Sequence, residues 1–266
     1  MRMETGVCVL HLFCTPGDHV DREAALAAVE AAEAQETQVV TAAILGHKGD
    51  LAVMALGPDV SALRRLQTGL QRAGLRVVDS YLSITEVSEY AKGMPEHMLQ
   101  DRLYPQLPPE GKPAFCFYPM SKRREAHANW YATPFEERRD MMMEHGASGR
   151  AFAGRIVQLV TGSTGLDDYE WGVTLFGVNL EVVKDVVYTL RYDKGSALYG
   201  EFGTFYVGYV APLDEVLAAW ECQGTSTRRV VVGSSAPSAV NPNDSNVPRT
   251  GSPVVLDSST DPDSPL

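Results

Sequence analysis

Six residues in the middle of the chain have side chains able to do chemistry: Tyr118, Lys122, His145, Gln158, Arg191 and Ser196. Tyr118 stands in the segment Phe-Cys-Phe-Tyr-Pro-Met-Ser-Lys (115–122). Pro119 cannot donate to a ladder, so the chain is expected to leave its sheet there, with the phenol at the strand end. Such a phenol is a wedge between sheet and helix or a group facing a pocket. Lys122, four residues on, is a cation that lowers the cost of a phenolate or holds a carboxylate against the phenol. His145 lies in Met-Glu-His-Gly-Ala-Ser-Gly-Arg (143–150). Gly146 and Gly149 each lower helix propensity by roughly 1 kcal/mol relative to alanine, and small residues beside a helical histidine leave room for something flat and large. Gln158 offers an amide that donates to an oxygen without adding charge. Arg191 ends a helical pattern with Ser196 within reach. It reads either as a cation favoured at a helix C-terminus or as a bidentate clamp for a carboxylate. Asp167 and Asp168, in the run 161–176, read as a turn with side-chain caps.

The elements that must position these residues come in two similar sets. In the first, Gly6–Phe13, Thr37–Leu45, Asp50–Leu56 and Leu75–Val87 read as strands, with helices over Asp21–Gln35 and Pro58–Ala73. The order β-α-β-β-α-β is that of a ferredoxin-like unit. The second set repeats it. Strands fall at Ala114–Tyr118, Val157–Thr161, Glu170–Gly177 and Thr204–Val210, and helices at Pro134–Gly154 and Leu180–Arg191. A duplicated α+β chain is therefore expected, with an N-terminal half over 1–89, a linker over 90–112 and a C-terminal half over 113–222. A further short helix is read at Leu213–Trp220. Residues 223–266 are rich in Ser, Pro, Asn and Asp, a composition that cannot offset ordering entropy, and are expected to be disordered.

Composition narrows the function. The 266 residues carry 44% hydrophobic and 21% charged positions, ordinary for a globular protein. A formal charge of −11 disfavours a nucleic-acid partner. Cys8, Cys14, Cys116 and Cys222 form no CxxC pair and no metal-ligand spacing, so a reducing compartment is the simpler reading. No apolar h-region and no run of about 18 apolar residues appears, which points to a cytoplasmic protein without a membrane span.

Taken together, the segments 115–122, 129–131, 143–150 and 161–176 resemble those of the coproheme decarboxylase branch of the chlorite dismutase superfamily, over roughly residues 5–220. The resemblance implies two tandem ferredoxin-like halves of dimeric α+β barrel type, the second of them binding porphyrin, in a homopentamer. It implies His145 as the proximal ligand of a porphyrin iron and Tyr118 as a radical-forming tyrosine helped by Lys122. Arg191 would bind a propionate, with Ser196, Met120 and Gln158 as further substrate contacts. Arg102, in the linker, is a second propionate candidate, and His97 a candidate distal base. The implied reaction is oxidative decarboxylation of two propionates of iron coproporphyrin III by hydrogen peroxide, giving heme b. Chlorite dismutase shares the fold and the proximal histidine but carries arginine where Gln158 stands. A non-catalytic porphyrin-binding module is the remaining alternative.

Overall fold

The computed structural model describes residues 1–224. The first half runs β1 (Cys8–Pro16), α1 (Arg22–Glu33), β2 (Gln38–Ile44), β3 (Leu51–Gly57), α2 (Val60–Arg72) and β4 (Leu75–Thr85). A linker carrying α3 (Glu96–Leu103) leads to β5 (Ala114–Lys122), followed by a hairpin of β6 (Arg124–Glu125) and β7 (Ala128–Asn129). Next come α4 (Phe135–Arg150), β8 (Ile156–Gly162), β9 (Trp171–Gly177), α5 (Leu180–Leu190), α6 (Lys194–Ala197), β10 (Gly200–Phe202), β11 (Tyr206–Val210) and α7 (Leu213–Gly224). The starts of α1, α2 and α5 follow from their first-turn donors. Asp21, Asp59 and Asn179 accept backbone N–H groups that no helical carbonyl can reach.

Strand neighbours run β2-β3-β1-β4 in the first half and β8-β9-β5-β11 in the second. These are the same ferredoxin-like order twice. The halves join edge to edge, β4 to β8 and β2 to β11, all antiparallel. Eight strands thus close into a barrel with no free edge, and β10 adds to the end of β5. The two-half α+β reading of the sequence therefore holds.

Inside the barrel Phe13, Phe115, Phe117, Phe176 and Tyr206 form one cluster, with Phe13 stacked on Tyr206 at 3.5 Å. His11 is fully buried among them, its Nε2 lying 3.0 Å from Thr174 Oγ1 across the two halves. Burial drives its pKa down to about 3, so it is a neutral core residue. Outside the barrel each half carries its own helices. Ala25, Ala32, Leu63, Leu66 and Leu70 cover the first half, while Val182, Val183, Val186 and Leu190 of α5 cover part of the second.

The structure corrects several local expectations. β5 does not stop at Pro119 but continues to Lys122, pairing with β9 as far as Met120. The Pro119 carbonyl accepts from Gly203, which lies between β10 and β11. The missing donor on that same side therefore faces a break in the neighbouring strands, where a proline costs no ladder bond. Helix α4 ends at Arg150, short of Gly154, whose φ of +77° belongs to a turn. The elements α3, β6, β7, α6 and β10 are too short to show a hydrophobic period. The tail expected to be disordered lies, beyond residue 224, outside the described residues. Asp167 proves structural as read, its Oδ2 accepting the Leu82 N–H at 2.8 Å.

Candidate functional site

Alternate residues of a strand share a face, so β5 presents Tyr118, Met120 and Lys122 together on the outside of the barrel. Tyr118 is buried, stacked on Phe205 at 4.4 Å and tilted against Phe202 at 5.8 Å. Its hydroxyl has no hydrogen bond among the described residues. Burial, and then the Cys116 thiol, push its pKa above the ordinary tyrosine value, and Arg191 opposes them. The Arg191 guanidinium lies 3.6 Å from the Phe202 ring centre. The cation that bears on the phenol is thus Arg191, not Lys122 as the spacing suggested.

Lys122 turns to the other partners of its strand end. Its backbone N–H donates to Glu170 at 2.8 Å, and its ammonium donates to the Gly195 carbonyl and lies 4.5 Å from the centre of the Trp130 ring. The side chain is buried, which lowers its pKa to about 8 against the pull of Glu170. A lysine so placed exchanges its proton near neutral pH.

His145 reaches the same region from α4. Its Nδ1 lies 3.0 Å from Asp193 Oδ2, and Ser148 Oγ donates to Asp193 Oδ1 at 2.8 Å. Burial lowers the His145 pKa, with Asp193 opposing and Lys122 reinforcing the shift. A neutral ring that donates Nδ1–H to a buried carboxylate keeps its lone pair on Nε2, the arrangement of a metal-binding histidine. Nε2 has no partner among the described residues.

The helix itself leaves room. Helix α4 buries no side chain and packs on α5 and α6 with no comparable packing on any strand. A Cβ added at Gly149, one turn from His145 on the same face, meets nothing within 4 Å; at Gly146 it meets only Arg150 Nη1, at 3.7 Å. The outer face of the sheet carries the remaining candidates. Gln158 pairs with Leu175, which pairs with Cys116, so its amide shares the face of Tyr118. Gln158 is exposed, and its neighbour Val160 is 41% exposed. An iron-bearing apolar ring would fit this donor set, with the His145 lone pair to hold the metal and the uncharged Gln158 amide to donate to an oxygen ligand. Arg191 and Lys122 would meet the ring's carboxylates.

Ser196, on α6, is half-buried, and its N–H donates to the Asp193 carbonyl at 2.9 Å. His97 and Arg102 are exposed on α3 and share no hydrogen bond, ion pair or ring contact with the cluster. Arg191 also sits at the end of an apolar groove of about 460 Å³ between α5 and β11, which none of His145, Lys122 or Gln158 lines. Sequence reasoning missed Asp193, Ser148 and Glu170, and did not pair Trp130 with Lys122. Asp193 is 48 residues from His145, and no local pattern announces the pair.

Residues 21–211 match the profile of the family described as Chlorite dismutase. The chain belongs to that family. Among solved structures, a heme-binding protein from Thermus thermophilus is 32% identical, with a TM-score of 0.72 over 83% of this chain and 98% of that one. A mutant chlorite dismutase from Candidatus Nitrospira defluvii is 21% identical, with a TM-score of 0.64 over 82% and 96% of the two chains. The same enzyme in complex with imidazole is 20% identical at a TM-score of 0.65, covering 82% and 96%. At such identities the Nitrospira enzyme shows a shared fold. This member of the chlorite dismutase family has, among its described residues, no helix long and apolar enough to cross a membrane. Cys8, Cys14 and Cys116 are free and buried.

Proposed function

We propose that this chain is a coproheme decarboxylase. It would take iron coproporphyrin III between α4 and the outer face of the second half, and with hydrogen peroxide convert two propionates to vinyls, giving heme b. The observation that carries this reading is Tyr118: an oxidisable phenol with no hydrogen-bond partner among the described residues, on the same face of β5 as Lys122, whose charge bears on His145. The 32% identity to a heme-binding protein supports porphyrin as the ligand class. The resemblance of the sequence extends the proposal to a cytoplasmic homopentamer.

Iron porphyrin with peroxide supplies the two oxidising equivalents that each propionate needs. His145 holds the ring by Nε2, with Asp193 fixing its tautomer. Tyr118 gives up an electron and its phenolic proton, then regains a hydrogen atom from the β-carbon of a propionate. Loss of carbon dioxide and a second electron leaves the vinyl. In all, a propionate yields two electrons and one proton; peroxide takes these and one further proton to form two waters. Lys122, titrating near 8, is suited to hold the carboxylate and exchange that proton. Arg191, Ser196, Met120 and Arg102 would bind the propionates and the ring edge, and Gln158 would donate to an oxygen ligand. His97 remains a candidate base from the linker.

Mass spectrometry of the porphyrin during peroxide titration tests the reading. Wild type is expected to show two successive losses of carbon dioxide with two hydrogens. Tyr118→Phe keeps the ring and loses one hydroxyl, so binding should change little while decarboxylation nearly vanishes, and Lys122→Ala should fall between. Near wild-type turnover in Tyr118→Phe would sink the radical role. A binding protein without turnover is the second reading, favoured by the description of the Thermus relative, and no carbon dioxide from wild type would select it. Chlorite dismutase activity is disfavoured by the amide at Gln158, since a neutral group stabilises an oxyanion less than a cation does. Sustained oxygen evolution from chlorite would reverse that order.

A further inference from the structure

One turn of α4 grips the Asp193 carboxylate twice. Oδ2 lies 3.0 Å from His145 Nδ1, and Oδ1 accepts the Ser148 hydroxyl at 2.8 Å. His145 and Ser148 are three residues apart and share a helix face, and Asp193 is buried against them. A carboxylate bonded through one oxygen turns easily, because the terminal torsion of aspartate is broad. Bonded through both oxygens to one rigid turn, it is held in a single orientation.

We propose that Ser148 is a positioning residue for the histidine ligand: by holding Oδ1 it keeps Oδ2 in line with His145 Nδ1, and so sets how strongly Nε2 donates to a porphyrin iron. This rests on the reading of His145 as that ligand. The hydroxyl also draws some charge from the carboxylate, an effect of opposite sign. Orientation dominates, because a hydrogen bond weakens steeply as its angle falls toward about 120°, whereas a neutral hydroxyl removes only part of one charge. Ser148 differs in this from Gly146 and Gly149, whose contribution is space.

The test compares Ser148→Ala, Ser148→Thr and Asp193→Asn in the full chain. In the protein without porphyrin, nitrogen NMR of the imidazole should report Nδ1–H in wild type and Ser148→Thr, and a mixture of tautomers in Ser148→Ala. With ferric porphyrin added, Ser148→Ala should lose about tenfold in affinity and Asp193→Asn on the order of 100-fold, the range found for partners behind metal-binding histidines. In the same order the ferrous iron–histidine stretch should fall in frequency and the midpoint potential should rise, because less anionic imidazole stabilises the ferric state less. A stretch and potential unchanged or moved the other way in Ser148→Ala would overturn the proposal. If instead His145→Ala keeps the iron–histidine band, the ligand assignment fails, and the tautomer measurement alone decides the role of Ser148.

Discussion

Helices α1 and α4 each follow the first strand of a half, yet they meet their sheets differently. Helix α1, Arg-Glu-Ala-Ala-Leu-Ala-Ala-Val-Glu-Ala-Ala-Glu, buries Ala25 and Ala32 and lies so close to α2 that a Cβ at Gly69 would stand 2.7 Å from Ala28 Cβ. Helix α4, Phe-Glu-Glu-Arg-Arg-Asp-Met-Met-Met-Glu-His-Gly-Ala-Ser-Gly-Arg, has half-buried residues but no fully buried one, and keeps open space beside Gly149. The second half also inserts β6, β7 and the Trp130 turn before its first helix, and α6 with β10 before its last strand. Trp130, Asp193 and Gly195, the residues that back Lys122 and His145, all lie in those insertions. The comparison teaches that the two copies of a duplicated barrel differ where the candidate site lies: there the first helix packs on other helices rather than on strands, and short added segments hold its polar side chains.

The largest expected difference is in stability. Leu66→Ala on α2, where the leucine is 2% exposed, should cost about 2–5 kcal/mol. Met142→Ala on α4, which is only half-buried, should cost less than about 1 kcal/mol because less surface returns to water. Denaturant midpoints at unchanged m-values measure both, and equal losses would break the contrast.

Next is the pH dependence of Lys122. Its folded value is about 8 against 10.5 for a free lysine, so between those values the unfolded chain binds the proton that the folded chain has lost. Stability of the unliganded protein should therefore rise with pH across that window, by on the order of 3 kcal/mol, with the penalty fully present below it. Lys122→Met should lack this rise. A wild-type profile flat between pH 8 and 10.5 would count against a buried, desolvated ammonium.

The smallest effect is the sharpest comparison. Gly69→Ala crowds Ala28 at a cost of about 1–3 kcal/mol, against about 1 kcal/mol gained in helix propensity. Gly149→Ala meets no atom and should stabilise the unliganded fold by up to about 1 kcal/mol, while weakening porphyrin binding if the ring lies there. Destabilisation by both substitutions would show that α4 is packed at Gly149 as tightly as α1 is against Gly69.

Much of the fold was legible, because alternation and helical period report which face of an element is buried. The βαββαβ order and its repetition came from that period, and Asp21 marked the start of α1 by its type. Tyr118, Lys122, His145, Arg191 and Ser196 were named as candidates from their types and a resemblance; the structure sets Arg191 beside Tyr118 at Phe202, and Lys122, His145 and Ser196 around Asp193 and Gly195. The run of β5 past Pro119 was not legible. It depends on where the neighbouring strands break, and a proline does not say which side its missing donor faces.

What the amino-acid sequence determined by itself was local: which residues alternate, which helices start where, and which side chains are able to bind iron, give up an electron or hold a carboxylate. Partnership was decided only by the tertiary structure. Arg191 rather than Lys122 bears on Tyr118, and Asp193 and Ser148 join at His145, because barrel closure and the α5–α6 corner bring distant residues within hydrogen-bond reach. The physical reason is range. Periodicity and capping act over a few residues along the chain, whereas a hydrogen bond or a buried charge responds to whatever atom lies within about 3 to 4 Å in space.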